Sequence, residues 1–228
     1  LTDPDTLLVD SAAALGLTLS EPVCRQFRLY REELQHWNTR LNLTGLRTAI
    51  DIVCKHFLDS LAIWPWIKDL TTLADLGTGA GFPGLPLKLA CPALRLTLVE
   101  ATGKKVAFLK YIVWRLGLQG VEIRQLYLTP AVSRSWGANF QAVVTRATWP
   151  LPRFLALAAP LLLPGGRLFS LKGPGLTASE WQEAGKLSAA LGLSPPEKQV
   201  YQVPGCNLSR QLVIFRRNQI SRSNHGES

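Results

Sequence analysis

Hydrophobic and polar positions follow two different rhythms along this chain, and the change falls near residue 70. Before it the spacing is helical. In "SEPVCRQFRLYREELQHWN", Val23, Phe27, Tyr30, Leu34 and Trp37 recur at steps of four and three, lining one helix face. Ser20 stands where an N-cap belongs, and Pro22 occupies a first-turn position at which its missing N–H does no harm. "NTRLNLTGLR" interrupts the pattern. Ile50, Val53, Phe57, Leu61 and Trp64 then mark a second amphipathic helix, which Pro65 is expected to end. Residues 1–66 read as a helical extension that packs on whatever follows.

After residue 67 the apolar runs become short and alternate with amphipathic stretches. "TTLADLG", "LRLTLVE", "VEIRQL", "FQAVVTRA" and "GRLFSLKG" predict strands. "PGLPLKLA", "KKVAFLKYIVWRLGL", "PRFLALAAPLLL" and "ASEWQEAGKLSAALGL" predict helices among them. Strands alternating with helices give an α/β fold, a mostly parallel sheet with helices on both faces. "KQVYQVP" and "RQLVIFRR" close the series with no helix between them, so they are expected to form an antiparallel hairpin at one edge of a seven-stranded sheet. The sheet domain is expected over residues 67–217, and "NQISRSNHGES", 218–228, as a disordered tail.

Composition narrows the class. Hydrophobic residues make up 47% of 228, enough for a proper core in one domain. No apolar run reaches the ~18 residues that cross a membrane, and "LTDPDTLLVD" does not read as a secretory signal. Four cysteines lie far apart with no C-x-x-C pair, which supports neither a zinc site nor a redox motif. They read as reduced thiols in a cytoplasmic protein. A net charge of +9, spread along the chain, suits a polyanionic partner such as nucleic acid on a surface assembled by folding.

The candidate chemistry centres on "LADLGTGAGFPGLPLKLACP", Leu73 to Pro92, a strand, a glycine loop and a helix start. Gly79 to Gly84 match G-x-G-x-x-G, and Gly77, Gly79 and Gly81 let the backbone turn with positive φ and let a ligand approach. The Gly-Lys-Ser/Thr of a phosphate-binding P-loop is absent. Glu100, at the end of the second strand, is placed to accept both hydroxyls of a ribose, and would serve a nicotinamide dinucleotide as well as S-adenosylmethionine. Asp75 favours the second: directly before the loop it would repel a pyrophosphate but suit a sulfonium and an ammonium. Its other reading is a carboxylate that holds the loop amides.

Six ordered blocks carry a resemblance. "NLT" (Asn42–Thr44), "HFLDSL" (His56–Leu61), "DLGTGAGFPGLPL" (Asp75–Leu87), "GKKVAFL" (Gly103–Leu109), "TRA" (Thr145–Ala147) and "LKG" (Leu171–Gly173) resemble the bacterial GidB/RsmG family of 16S ribosomal RNA guanine-N7 methyltransferases. The likeness implies a class I, Rossmann-like methyltransferase that uses S-adenosylmethionine. It implies as partner a small-subunit rRNA loop near the decoding centre; the cysteine spacing and the short apolar runs add the expectation of neither metal nor membrane. It carries cofactor contacts onto Gly77, Phe82 and Arg146, and adenine contacts onto Leu128 and Thr129. Thr129 departs from the family, which shows an acid there, and Glu100 replaces the family's Asp.

Guanine N7 exposes a lone pair and needs no deprotonation, so alignment suffices and no general base is required. The chain accordingly lacks the Asn/Asp-Pro-Pro-Tyr signature of amine methylation. Arg146, in "TRATWP", is the candidate catalytic residue, orienting the base; its alternative role is to tie loops to a carboxylate. Arg47, Lys104, Lys105 and Lys172 are the candidate RNA contacts, with Arg40, Lys55, Lys110 and Arg115 on the same rim. His56 and Asp59 share a helix face and could shape the site or serve the core. Trp64, Trp66 and Trp149 read as core. Two rival functions stay open: an NAD-type oxidoreductase on the same sheet, and a non-catalytic RNA-binding protein.

Overall fold

The computed structural model describes residues 3–219. The expected tail therefore lies, from residue 220 onward, outside the described residues. Helices α1 (Pro4–Ala14) and α2 (Glu21–Leu41) open the chain. Asp3 caps α1, its side chain accepting from the amides of Asp5 and Thr6. The stretch expected as one helix up to Pro65 is broken. It runs as α3 (Ala49–Ile52), a π-helical turn (Val53–Leu58) and α4 (Asp59–Leu61). Pro65 lies in the first turn of α5 (Trp64–Ile67) and so begins a helix rather than ending one, because a first-turn N–H has no intrahelical acceptor to lose.

The alternating part follows as β1 (Thr72–Leu76), α6 (Gly84–Ala90), β2 (Arg95–Glu100), α7 (Gly103–Arg115) and β3 (Val121–Gln125). Then come α8 (Pro130–Trp136), β4 (Phe140–Arg146), α9 (Leu151–Ala158), β5 (Leu162–Lys172), α10 (Ala178–Ala190), β6 (Glu197–Gln202) and β7 (Ser209–Arg216). The seven strands are ordered β3-β2-β1-β4-β5-β7-β6. β1 to β5 pair in parallel, and β7 runs antiparallel to both β5 and β6. β1 and β4 read as nearly continuous apolar runs because helices cover both of their faces; the edge strands β3 and β6 do not.

One hydrophobic cluster lies on each face. The first joins Phe27, Tyr30, Leu34 and Phe57 of the N-terminal helices to Leu73, Leu96, Leu98 and Phe108, so extension and sheet share a core. The second gathers Ala74, Leu76 and Val143 beneath Leu151, Phe154 and Leu155 of α9. The cysteines correct the expectation of four reduced thiols. Cys54, on the π turn, and Cys206, between β6 and β7, form a disulfide, while Cys24 and Cys91 are free. Their pairing depends on the terminal hairpin folding back over the N-terminal helices. Among the described residues no helix is long and apolar enough to cross a membrane.

The strand order reverses between β1 and β4. In open parallel sheets that switch point opens a crevice at the carboxyl ends of the strands. Gly77, Glu100 and Ala147 all leave the sheet there.

Candidate active site

The floor of the site is the turn after β1. Asp75 is fully buried, and its Oδ2 accepts from Thr78 Oγ1 at 2.6 Å and from the Gly84 amide at 2.8 Å. Oδ1 is buried without a partner. Burial pushes the Asp75 carboxyl up to about 6, against the pull of these donors. Gly77 has φ +65°, and a Cβ on it would sit 2.6 Å from Thr148 Cγ2, so any other residue there would be strained and would have to displace the Thr148 side chain. The Gly79 amide donates to Glu100 Oε2 at 3.0 Å, and the Thr102 amide to Oε1 at 2.9 Å. Each Glu100 oxygen thus keeps a lone pair.

Glu100 lines a cavity of about 370 Å³ with Gly77, Val99, Lys105, Leu128 and Trp149. Its walls are mainly apolar, with one acid, Glu100, and one base, Lys105. A second cavity, of about 340 Å³, is lined by Lys55, Asp59, Arg146, Lys172 and Arg210. Ala147 borders both. It holds φ +51°, unusual for a residue with a side chain, at the point where the chain leaves β4. The second cavity is basic but internally paired. Lys55 meets Asp51 at 2.5 Å, Lys172 meets Glu180 at 2.8 Å, and Asp59 meets both Arg146 at 3.4 Å and Arg210 at 3.3 Å. Four cations stand against three carboxylates there, which leaves one positive charge in excess for an anion.

Arg146 is the hub between the N-terminal helices and the sheet. Its Nη1 donates to the Lys55 carbonyl at 2.8 Å, and its Nη2 to His56 Nδ1 at 2.8 Å. The guanidinium lies 5.2 Å from the centre of the Phe82 ring, and the His56 ring stacks on Phe82 at 4.2 Å. His56 Nε2 is 2.7 Å from Thr44 Oγ1. Burial and the Arg146 charge pull the His56 pKa down to about 3, so the ring is neutral.

This constellation draws on the "NLT", "HFLDSL", glycine-loop and "TRA" blocks together. The family model for GidB, rRNA small subunit methyltransferase G, matches residues 23–213. The chain belongs to the GidB family. A relative from Myxococcus xanthus, named Ribosomal RNA small subunit methyltransferase G, is 38% identical over 208 residues, covering 91% of this chain and 94% of that protein. One of the same name from Aromatoleum aromaticum is 38% identical over 218 residues, covering 92% and 98%. The fold is also that of an O-methyltransferase from Bacillus cereus solved in complex with SAH. The TM-score is 0.59 at 16% identity, covering 83% of this chain and 91% of that one.

Against the positions carried over from the GidB family, the structure sorts the candidates. Gly77, Glu100, Lys105 and Leu128 line the first cavity, and Arg146 and Lys172 the second. Gly79 reaches the first through its amide bond to Glu100. Asp75 and Phe82 do not line either cavity; Asp75 binds the loop from beneath, and Phe82 is a buried platform for His56 and Arg146. Gly81 takes φ +103° against Tyr30 and Leu85. Thr129 Oγ1 caps α8 by accepting from the Val132 amide at 3.3 Å, and the residue expected at adenine lines neither cavity. Lys172 is also committed, to Glu180 and to the Trp149 carbonyl, both at 2.8 Å. Lys104 and Arg47 are exposed on the surface.

Sequence reasoning missed Arg210, Thr148 and the wall role of Trp149. Thr148 and Trp149 directly follow "TRA", so extending that block by two residues finds them. Arg210 carries no local signal, because its place depends on β7 inserting beside β5.

Proposed function

We propose that the protein transfers a methyl group from S-adenosylmethionine to N7 of a guanosine in 16S ribosomal RNA near the decoding centre. One observation carries the reading: two cavities meet at Ala147, one suited to a nucleoside and the other basic. Family membership names the RNA, since the relatives are called small-subunit rRNA methyltransferases. A ribosomal substrate puts the work in the cytoplasm.

The residues present fit S-adenosylmethionine. Glu100 would take the ribose, Val99 and Leu128 would flank the adenine, and the glycine loop would receive the amino-acid end. The unpartnered Asp75 oxygen beneath that loop supports a cationic ligand there. A nicotinamide dinucleotide would instead bring two phosphates onto the glycine loop, above the Asp75 carboxyl, which disfavours the oxidoreductase; Glu100 suits the ribose of either cofactor. When bound, S-adenosylmethionine supplies a methyl group already activated on a sulfonium.

The remaining work is alignment. His56 is neutral with both ring nitrogens engaged, and Asp59 is held by two guanidinium groups and the Tyr201 hydroxyl. Neither is poised as a base, which agrees with a nucleophile that needs none. Arg146 faces the acceptor cavity and has donors to orient a guanine. Incubation with labelled S-adenosylmethionine and either 30S subunits or naked 16S rRNA, followed by nucleoside analysis, is expected to yield labelled 7-methylguanosine. No transfer to either RNA, or label on another nucleoside, would overturn the proposal. Titration with S-adenosylhomocysteine and with NADH separates it from the oxidoreductase.

A further inference from the structure

We infer that His56 is a positioning residue whose ring fixes the aim of the Arg146 guanidinium into the acceptor cavity. This rests on the function proposed above. Two things hold the ring. It stacks on Phe82 at 4.2 Å with 15° between planes, and it meets Thr44 Oγ1 at 2.7 Å through Nε2. The remaining nitrogen, Nδ1, stands 2.8 Å from Arg146 Nη2.

The tautomer follows from the partners. A guanidinium has donors only, so Nδ1 must offer a lone pair. A neutral ring accepting at Nδ1 carries its proton at Nε2, which then donates to Thr44 Oγ1. The Thr44 hydroxyl oxygen is itself fixed by the Leu46 amide at 3.2 Å. A chain of contacts therefore runs from the turn after α2, through His56, to the end of β4.

The consequence concerns Asp59. The Arg146–Asp59 distance is 3.4 Å, longer than the ~2.7–2.9 Å of a relaxed guanidinium–carboxylate contact. Nη1 is held to the Lys55 carbonyl and Nη2 to His56, both at 2.8 Å. These two bonds keep the guanidinium off the carboxylate. Counting donors, Nε–H and the second Nη2–H stay uncommitted for an acceptor base. Without the Nδ1 lone pair, the guanidinium is free to close on Asp59 and withdraw those donors from the cavity. The π turn supplies Lys55 and His56 side by side, with Asp59 directly after it.

The test uses two variants of the full chain. His56→Phe keeps the ring on Phe82 and removes both nitrogens. His56→Asn keeps an acceptor near the Nδ1 position. With 30S subunits as substrate, His56→Phe is expected to lower kcat by about 30- to 100-fold, the scale of a displacement of roughly 1 Å in an aligned site. The Kd for S-adenosylhomocysteine should stay within about twofold, since its contacts lie elsewhere, and His56→Asn should restore kcat to within about tenfold of wild type. Nitrogen-15 NMR supplies a readout independent of turnover. In the wild type His56 should show an unprotonated Nδ1 and a protonated Nε2. The Arg146 guanidinium signal, assigned with Arg146→Lys, should move in His56→Phe and hold in His56→Asn. Wild-type kcat in His56→Phe, or an unmoved Arg146 signal, would overturn the inference, as would equal slowness of both variants with equally lowered Tm. An inactive wild type whose NMR signals behave as stated would sink the proposed function and leave the aiming role standing.

Discussion

Asp75 offers a quantitative check on the base of the site. Its carboxyl is fully buried, and burial raises its pKa from 3.8 to about 6. The folded protein therefore holds this proton more tightly than the unfolded chain. The stabilisation from the proton is fully present below pH 3.8 and is lost as pH rises through 6. A shift of this size corresponds to roughly 3 kcal/mol over the whole range, and to about 2 kcal/mol between pH 4 and pH 7. Asp75→Asn removes the titration. Its Oδ1 can still accept from Thr78 and Gly84, while its amide nitrogen takes the place of the unpartnered oxygen at a penalty of about 1–3 kcal/mol. The variant should therefore be less stable than wild type at pH 4 and close to it, or more stable, at pH 7. Urea unfolding of both proteins across that range measures the difference directly. A stability gap that is the same at both pH values would refute the argument, because it would mean that Asp75 ionises alike in folded and unfolded chains.

Two further perturbations probe the cofactor cavity and the frame. Glu100→Gln keeps the shape and removes the charge, and each charge-assisted bond to a ribose is worth about 1.5–3 kcal/mol. Calorimetry should show the Kd for S-adenosylhomocysteine rising about 10- to 100-fold, and an unchanged Kd would remove Glu100 from the ribose role. The Cys54–Cys206 bond closes a separation of 152 residues, so chain entropy gives it about 2–5 kcal/mol. Urea unfolding with and without reductant should differ by that amount. Thiol counting on the unfolded, unreduced chain should find Cys24 and Cys91 alone; four reactive thiols would dispose of the disulfide.

What could be read from the residues divides along the reach of the physics involved. The strands and Glu100 were legible because an apolar run covered on both faces, followed by an acid, is a local signal. The same holds for the glycine loop, whose backbone needs are written into a few adjacent positions. Helix α8 was missed although Thr129–Pro130 is an N-cap followed by an N1 proline. Read as an adenine contact, Thr129 hides its capping role, because the same Thr–Pro pair suits either reading until α8 is placed. The π turn was illegible for another reason: the helical spacing of Ile50, Val53, Phe57 and Leu61 persists through it, while the widened turn is set by what it packs against. The charges were the hardest. Lys172 reads identically at a strand end whether it faces a phosphate or Glu180, and only the docking of α10 decides. Arg146 was recognisable, but its aim is set by the Lys55 carbonyl and His56, some ninety positions away, and Cys54 finds Cys206 only after the final hairpin turns back. A side chain whose role depends on its own strand terminus can be assigned from sequence. One whose role depends on a neutralising partner waits on the topology that delivers that partner, and for this protein the acceptor cavity is made almost wholly of the second kind.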